Sequence, residues 1–367
     1  MNACGECLRR GVLVSALAPR IADRLVRPRD PRPLLALPED VLLDAVAGED
    51  RERIERLLEE TPPAVVLAQL EAAAVEAVCP HSGSYPSRLH DLPDPPRPLF
   101  VRGGVERLTE LAAEPCVAIV GGRKPSEYGL SVAAALGRGL SAAGVTVVSG
   151  LALGIDAASH RGALAGGDAA LAVLGRGLDV SYPVRHTALF EQIVARGAVV
   201  SELMPGTRAW KWSFPARNRI MAAFARLVVV VEAREASGSL ITVEHATPMG
   251  REIAAVPGHV TARAAEGSNR LLRDGALLVR GARDVLELLY GVGYVAPAPP
   301  PPPRLRRPLR LVLDAVESGD SLHHARQQAG LSAAGLRAAL GRLEALGLVR
   351  SDGFGGYERR ISTAAET

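Results

Sequence analysis

The chain has 367 residues, 48% of them apolar, and a formal net charge of +3. That length and apolar fraction fit a folded protein of two or three domains with ample core. The charge is too small to imply a nucleic acid partner by itself, and four cysteines are too few for a disulfide scaffold. No window reaches the ~20 apolar residues of a membrane span, so a cytoplasmic protein without membrane contact is expected.

Residues 1–75 read as a helical domain. Arg9–Ala18 faintly resembles a signal peptide, but its apolar stretch is short, follows Glu6 and runs into the amphipathic Ile21–Leu25, which suits a first-domain helix better. Apolar residues recur at helical spacing in Pro38–Val46 and Glu52–Leu58. Cys4 and Cys7 form a C-x-x-C with no second pair at zinc spacing, and Cys79 and Cys116 stand isolated, so no metal site is read here. Residues 76–114 are a proline-rich lead-in.

From 115 to 292 the pattern changes. Val117–Val120, Val145–Val148, Leu171–Leu174, Ala198–Ser201, Leu227–Val231, Ile253–Val256 and Leu277–Val279 are continuous apolar runs separated by helical segments. Such runs belong to strands covered on both faces, which predicts a doubly wound, mostly parallel α/β sheet. Residues 293–305 form a proline-rich linker. Residues 306–362 have the outline of a winged helix: helices at Leu309–Val316, Ser321–Ala329 and Ser332–Leu346, then a hairpin ending near Tyr357. Its third helix carries Arg337 and Arg342, candidates for contact with duplex DNA or with a protein partner.

The chain holds two lysines among 43 basic residues, Lys124 and Lys211. Lys211 lies in Arg208–Arg219, which gathers both tryptophans, Phe214 and four basic residues without an acid, in a chain only 4% aromatic. Rings that stack on bases and cations that meet phosphates are what a single-stranded nucleic acid site needs. Lys211, Phe214, Arg217, Asn218 and Arg219 are therefore candidate contacts. The alternative is that Trp210, Trp212 or Phe214 plugs the sheet edge.

Three turns open on the carboxyl edge of the sheet. The first, Gly121-Gly122-Arg123-Lys124, fails as a dinucleotide fingerprint: Arg123 and Ser126 stand where glycines are required, and no acid ends the next strand. What remains is a turn offering N–H groups and Arg123 to a phosphate, against a solvated arginine as the alternative. The second, Ser149-Gly150 onward to Asp156, offers a hydroxyl and N–H groups, with Asp156 as a structural acceptor and His160 as a packing residue. The third, Ser237-Gly238-Ser239, is expected to cap the following helix through at least one serine, and its place on the same edge makes it a candidate phosphate contact as well. No cofactor is expected.

In this order, these stretches resemble the DNA-processing protein A family, also called Smf. The resemblance rests on Val117–Lys124, Ser149–Asp156 with His160-Arg161, Gly177–Pro183, Ser201-Glu202, Phe214–Ile220, Ser237–Thr242, Gly250–Gly258 and Asn269–Ala276. It implies an extended Rossmann fold that binds single-stranded DNA, forms a homodimer and loads RecA recombinase, with a single-stranded DNA-binding protein as a further partner. It implies that Arg123, Lys211, Phe214, Arg217 and Asn218 fall on the DNA pocket and that 267–281 falls near the dimer surface. Two departures matter. Gly122 stands where the family usually has serine, and Leu153 where it usually has arginine; compensation by Arg176 or Arg161 and a weaker pocket both stay open.

Two other functions compete. The related nucleotide hydrolases carry a Pro-Gly-Gly-x-Gly-Thr stretch that Pro257-Gly-His259 breaks. A winged-helix transcription regulator with a nucleotide-sensing sheet would prefer palindromic duplex sites. A non-enzymatic recombination mediator is the preferred reading.

Overall fold

The computed structural model of the chain describes residues 2–24, 32–180, 183–295, 305–318, 321–346, 348–351 and 357–359. It divides into two compact units, Met1–Pro299 and Pro300–Thr367.

The first unit begins with helices α1 (Gly5–Arg24), α2 (Arg32–Leu35), α3 (Glu39–Val46), α4 (Arg51–Glu60) and α5 (Pro63–Ala72). There follow β1 (Glu76–Val78), β2 (Leu99–Arg102), α6 (Val105–Ala113), β3 (Cys116–Val120), α7 (Glu127–Ala142), β4 (Thr146–Ser149), α8 (Ile155–Gly166) and β5 (Ala170–Leu174). The rest are α9 (Thr187–Arg196), β6 (Ala198–Ser201), α10 (Ser213–Phe224), β7 (Leu227–Val230), α11 (Leu240–Ala246), β8 (Glu252–Ala255), α12 (Glu266–Arg273), β9 (Leu277–Leu278) and α13 (Ala282–Tyr290).

All nine strands form one sheet in the order β1-β2-β6-β5-β4-β3-β7-β8-β9. From β3 to β9 every pairing is parallel. The seven apolar runs each became a strand within one residue of the expected limits. Period-2 alternation sends their side chains to two cores. Val117, Ile119, Val147 and Ala172 pack in one; Ala118, Val120, Val148 and Val173 pack in the other.

Two features go beyond the sequence reading. The lead-in is part of the sheet: β2 pairs antiparallel with β6, and β1 with β2. Its proline spacing hid strands of three and four residues. The N-terminal helices also share a core with the sheet, Leu8, Leu13, Leu17 and Ile21 clustering with Phe100, Val199 and Trp212. Trp212 is buried, and its Nε1 donates to Ala18 O at 3.0 Å. One tryptophan of the aromatic-basic segment thus holds the two regions together.

One reading is corrected. Cys79 is not isolated, for the fold brings it, with His81, beside Cys4 and Cys7. Strand β1 lies between the end of the helices and these residues, a proximity that spacing alone does not reveal.

The second unit contains α14 (Arg307–Ser318), α15 (Leu322–Gln328), α16 (Ala333–Ala345) and an antiparallel pair, β10 (Val349–Ser351) with β11 (Tyr357–Arg359). Val312, Leu313, Ala339, Leu340, Leu343 and Val349 form its core. Arg337 and Arg342 lie exposed on α16. The proline-rich linker falls largely outside the described residues, as do Ser181 and Tyr182 of the Gly177–Pro183 stretch.

Candidate nucleic-acid interface

Strand order reverses between β3 and β7: from β3 the chain steps outward through β4, β5 and β6, then returns to pair β7 on the other side of β3. In an open parallel sheet the loops leaving the carboxyl ends on either side of such a reversal diverge and leave a crevice. Here that crevice is a cleft of about 450 Å³. The turn after β3 supplies Gly121 and Arg123, the turn after β4 supplies Ala152, and α10 with its lead-in supplies Lys211, Phe214, Arg217 and Asn218. The turn after β7 adds Ser237, Gly238 and Ser239. A smaller adjoining hollow shares Arg123, Ala152, Phe214 and Arg217 and adds Gly150, Leu153 and Arg176.

Each wall has a local cause. Ser126 caps α7, its Oγ accepting from Gly129 N at 3.1 Å, while Ser126 N and Oγ donate to the Glu232 carboxylate at 2.8 and 2.6 Å. Gly122 N donates to Glu232 O at 2.6 Å. Glu232 therefore clamps the first turn to the end of β7. Arg123 stays exposed, with its guanidinium carbon 5.2 Å from the centre of the Phe214 ring. This cation–π contact positions one cation and one ring side by side at the rim. Lys211 is exposed on the same cleft.

Arg217 forms the floor. It is buried, its Nη1 donates to Gly150 O at 2.6 Å and also to Val173 O, and its Nη2 lies 3.7 Å from Asp156 Oδ2. Asp156 also accepts from Gly150 N at 3.2 Å and Ala152 N at 3.4 Å. Burial pushes the Arg217 guanidinium down to about 10, against the pull of Asp156, and it stays charged at neutral pH. Burial likewise raises Asp156, although Arg217 and the two backbone N–H groups oppose this. Arg217 Nε donates to Asn218 Oδ1 at 3.0 Å, and Asn218 Nδ2 to Gly238 O at 3.2 Å, so floor and far wall are joined.

Four expected contacts lie outside the lining of both hollows. Ser149 is buried and donates to Ile119 O at 2.7 Å, across to the neighbouring strand. Arg219 is buried between Asp94 and Glu202, at 2.8 and 2.6 Å. Helical geometry turns it roughly 200° from Arg217, away from the cleft. Gly122 is occupied by the Glu232 clamp, and Lys124 is exposed beyond the rim. Ser239, at the N-cap of α11, makes no side-chain cap bond, while Ser237 Oγ accepts from Ser239 N at 3.4 Å and the two hydroxyls bond each other at 2.7 Å. Trp210 is half-buried under Arg208, whose guanidinium carbon lies 4.1 Å from the ring centre. His160 is fully buried, and burial pushes it down to about 3, so it is neutral packing.

Glu232 and Thr242 were not singled out by the sequence reading. The signal for Glu232 was an acid ending an otherwise apolar strand. Thr242 Oγ1 is buried on the cleft wall without a hydrogen-bond partner among the described residues. Of the two arginines considered beside Leu153, Arg176 lines the hollow; exposed Arg161 does not.

Residues 76–290, spanning every strand of the sheet, match the family described as DNA recombination-mediator protein A. The chain belongs to that family. Protein Smf of Synechocystis is 31% identical over 357 residues, covering 87% of this chain and 90% of that one. DNA processing protein DprA of Streptococcus pneumoniae is 42% identical over 202 residues, 55% of this chain and 70% of that one. The X-ray structure of the pneumococcal protein aligns with a TM-score of 0.61 at 32% identity, covering 78% of this chain and 98% of that one. The Helicobacter pylori family member, whose structure concerns its single-stranded DNA binding mode, aligns at 0.53 and 28% identity over 59% and 95%. Among the described residues, no helix is long and apolar enough to cross a membrane.

Proposed function

We propose that this chain is a non-enzymatic recombination mediator that binds single-stranded DNA in the switch-point cleft, protects incoming DNA and loads RecA recombinase. One observation carries the reading: Arg123 and Phe214 stand paired at the rim, beside Lys211 and above buried Arg217. Exposed cations suit phosphates, and the ring suits a base of any identity, so binding is indifferent to sequence. The adjoining hollow, with Arg176, extends the basic path past Leu153. The Helicobacter pylori relative, described by its single-stranded DNA binding mode, supports the choice of ligand.

The contact set in this reading is Gly121, Arg123, Gly150, Lys211, Phe214, Arg217, Asn218, Ser237, Gly238 and Ser239. The protein works as a homodimer through the surface around 267–281, where edge strand β9 leaves Leu277 and Leu278 37% and 55% exposed. Residues 306–362 act as a winged helix, with Arg337 and Arg342 facing duplex DNA or a protein such as a single-stranded DNA-binding protein.

The test is strand exchange by the RecA of the same cell on single-stranded DNA coated with single-stranded DNA-binding protein, with and without this chain. Acceleration is expected, together with oligo-dT binding that ignores sequence. Preference for a palindromic duplex would replace this reading with a transcription regulator, and turnover of a nucleotide with a hydrolase.

A further inference from the structure

Cys4 and Cys7 flank the start of α1, and Cys79 and His81 follow β1, about 75 residues away in sequence. The fold brings all four together. The Sγ atoms of Cys4, Cys7 and Cys79 lie 3.3, 3.6 and 3.8 Å from His81 Nδ1. All four ligand atoms lie within 4.8 Å of one another.

Pairwise hydrogen bonding does not account for this arrangement. A ring nitrogen has one proton or one lone pair, so it cannot serve three sulfurs at once. Convergence on a common centre does account for it. With Zn–S of ~2.3 Å and Zn–N of ~2.05 Å, a tetrahedral site has S···N edges of ~3.6 Å. The three observed separations bracket that edge.

Cys4 N donates to Cys79 Sγ at 3.4 Å, and the cysteines are free thiols. Cys79 N donates to Asn2 O at 2.9 Å, which fixes the two chain segments against each other at this point. Three soft thiolates and an imidazole select zinc over the hard cations that prefer oxygen.

We propose that Cys4, Cys7, Cys79 and His81 form a structural zinc site of the Cys3His type, which staples the N-terminal helices to the first strand of the sheet. Four protein ligands complete a tetrahedron and leave no position for water or substrate, so the role is structural. The metal closes a long loop, where a cross-link restricts the unfolded chain most.

The full-length chain, reduced and stripped with a chelator, is titrated with zinc sulfate and separately with cobalt chloride. Expected are about one zinc per chain, a higher melting temperature with zinc, and cobalt spectra showing thiolate charge transfer and tetrahedral d–d bands. His81→Ala, at an exposed position, is expected to weaken zinc binding about tenfold or more, and Cys79→Ser likewise. Cys116→Ser, the fourth cysteine, is expected to bind as the parent does. If Cys79→Ser fails to fold, His81→Ala and the parent cobalt spectrum still decide the matter. The proposal is overturned by negligible uptake in the parent, by an octahedral cobalt spectrum, by undiminished binding in His81→Ala, or by a disulfide among these cysteines in the protein isolated from cells.

Discussion

Arg217 and Arg219 stand two positions apart on α10, both buried, and their partners separate their roles. Arg219 is held by Asp94 and Glu202, so Arg219→Ala removes the buried guanidinium that both carboxylates share. A loss of about 3–5 kcal/mol is expected by denaturant melts, with oligo-dT affinity of the remaining folded protein near that of the parent. Lys211 is exposed, and Lys211→Ala is expected to weaken oligo-dT binding several-fold at unchanged stability. It should also flatten the salt dependence, each lost phosphate contact lowering the slope by about 0.7. Phe214→Ala should cost about 1–3 kcal/mol of binding with the slope preserved, because stacking releases no counterions. Parent-like binding in both variants removes the cleft from the proposal. His160 supplies a pH test. Its folded value of about 3 lies below the ordinary 6.5, so the unfolded chain takes up a proton first as the solution is acidified. The stability it supports is complete above 6.5 and is lost between there and about 3. The stability gap between the parent and His160→Gln should therefore narrow on acidification through that window; a gap independent of pH would contradict a neutral buried histidine.

At the scale of elements, the turns after β3 and β4 work as one piece. Gly154 has φ +83°, and a Cβ there would lie 2.4 Å from Gly122 O. Ile155 N donates to that same carbonyl at 3.3 Å. Gly154→Ala thus meets both backbone strain and a clash that displaces the first turn, with it Arg123. A stability loss of about 1–3 kcal/mol is expected, accompanied by weaker oligo-dT binding. Binding unchanged in a destabilised variant would show that the two turns are not coupled. Gly150 shows the same economy of space: a Cβ would sit 2.1 Å from the Arg217 guanidinium, so only glycine lets the buried cation reach the carbonyls of the strand ends.

At the scale of the molecule, the two compact units divide at residues 299 and 300. A chain ending at Pro299 retains the sheet, both cores and every residue of the cleft. It is expected to melt cooperatively and to keep oligo-dT affinity within about twofold, as checked by calorimetry and fluorescence anisotropy. Loss of binding on this truncation would move the interface into the second unit. A chain that instead begins at residue 76 exposes Trp212 and Phe100, which the N-terminal helices cover, and is expected to aggregate.

The amino-acid order by itself determined the parallel sheet, because buried strands must be apolar on both faces and the seven runs said so directly. It also marked the glycine turns, by their place after apolar runs, and the aromatic-basic segment, since aromatic residues make up only 4% of the chain. Only the tertiary structure decided which cation faces the cleft: Arg217 and Arg219 are indistinguishable in sequence, and orientation about a helix axis depends on where the acids of distant segments arrive. The same holds for Cys79 and His81, whose neighbours are fixed by how α1 packs against the sheet and not by any spacing along the chain.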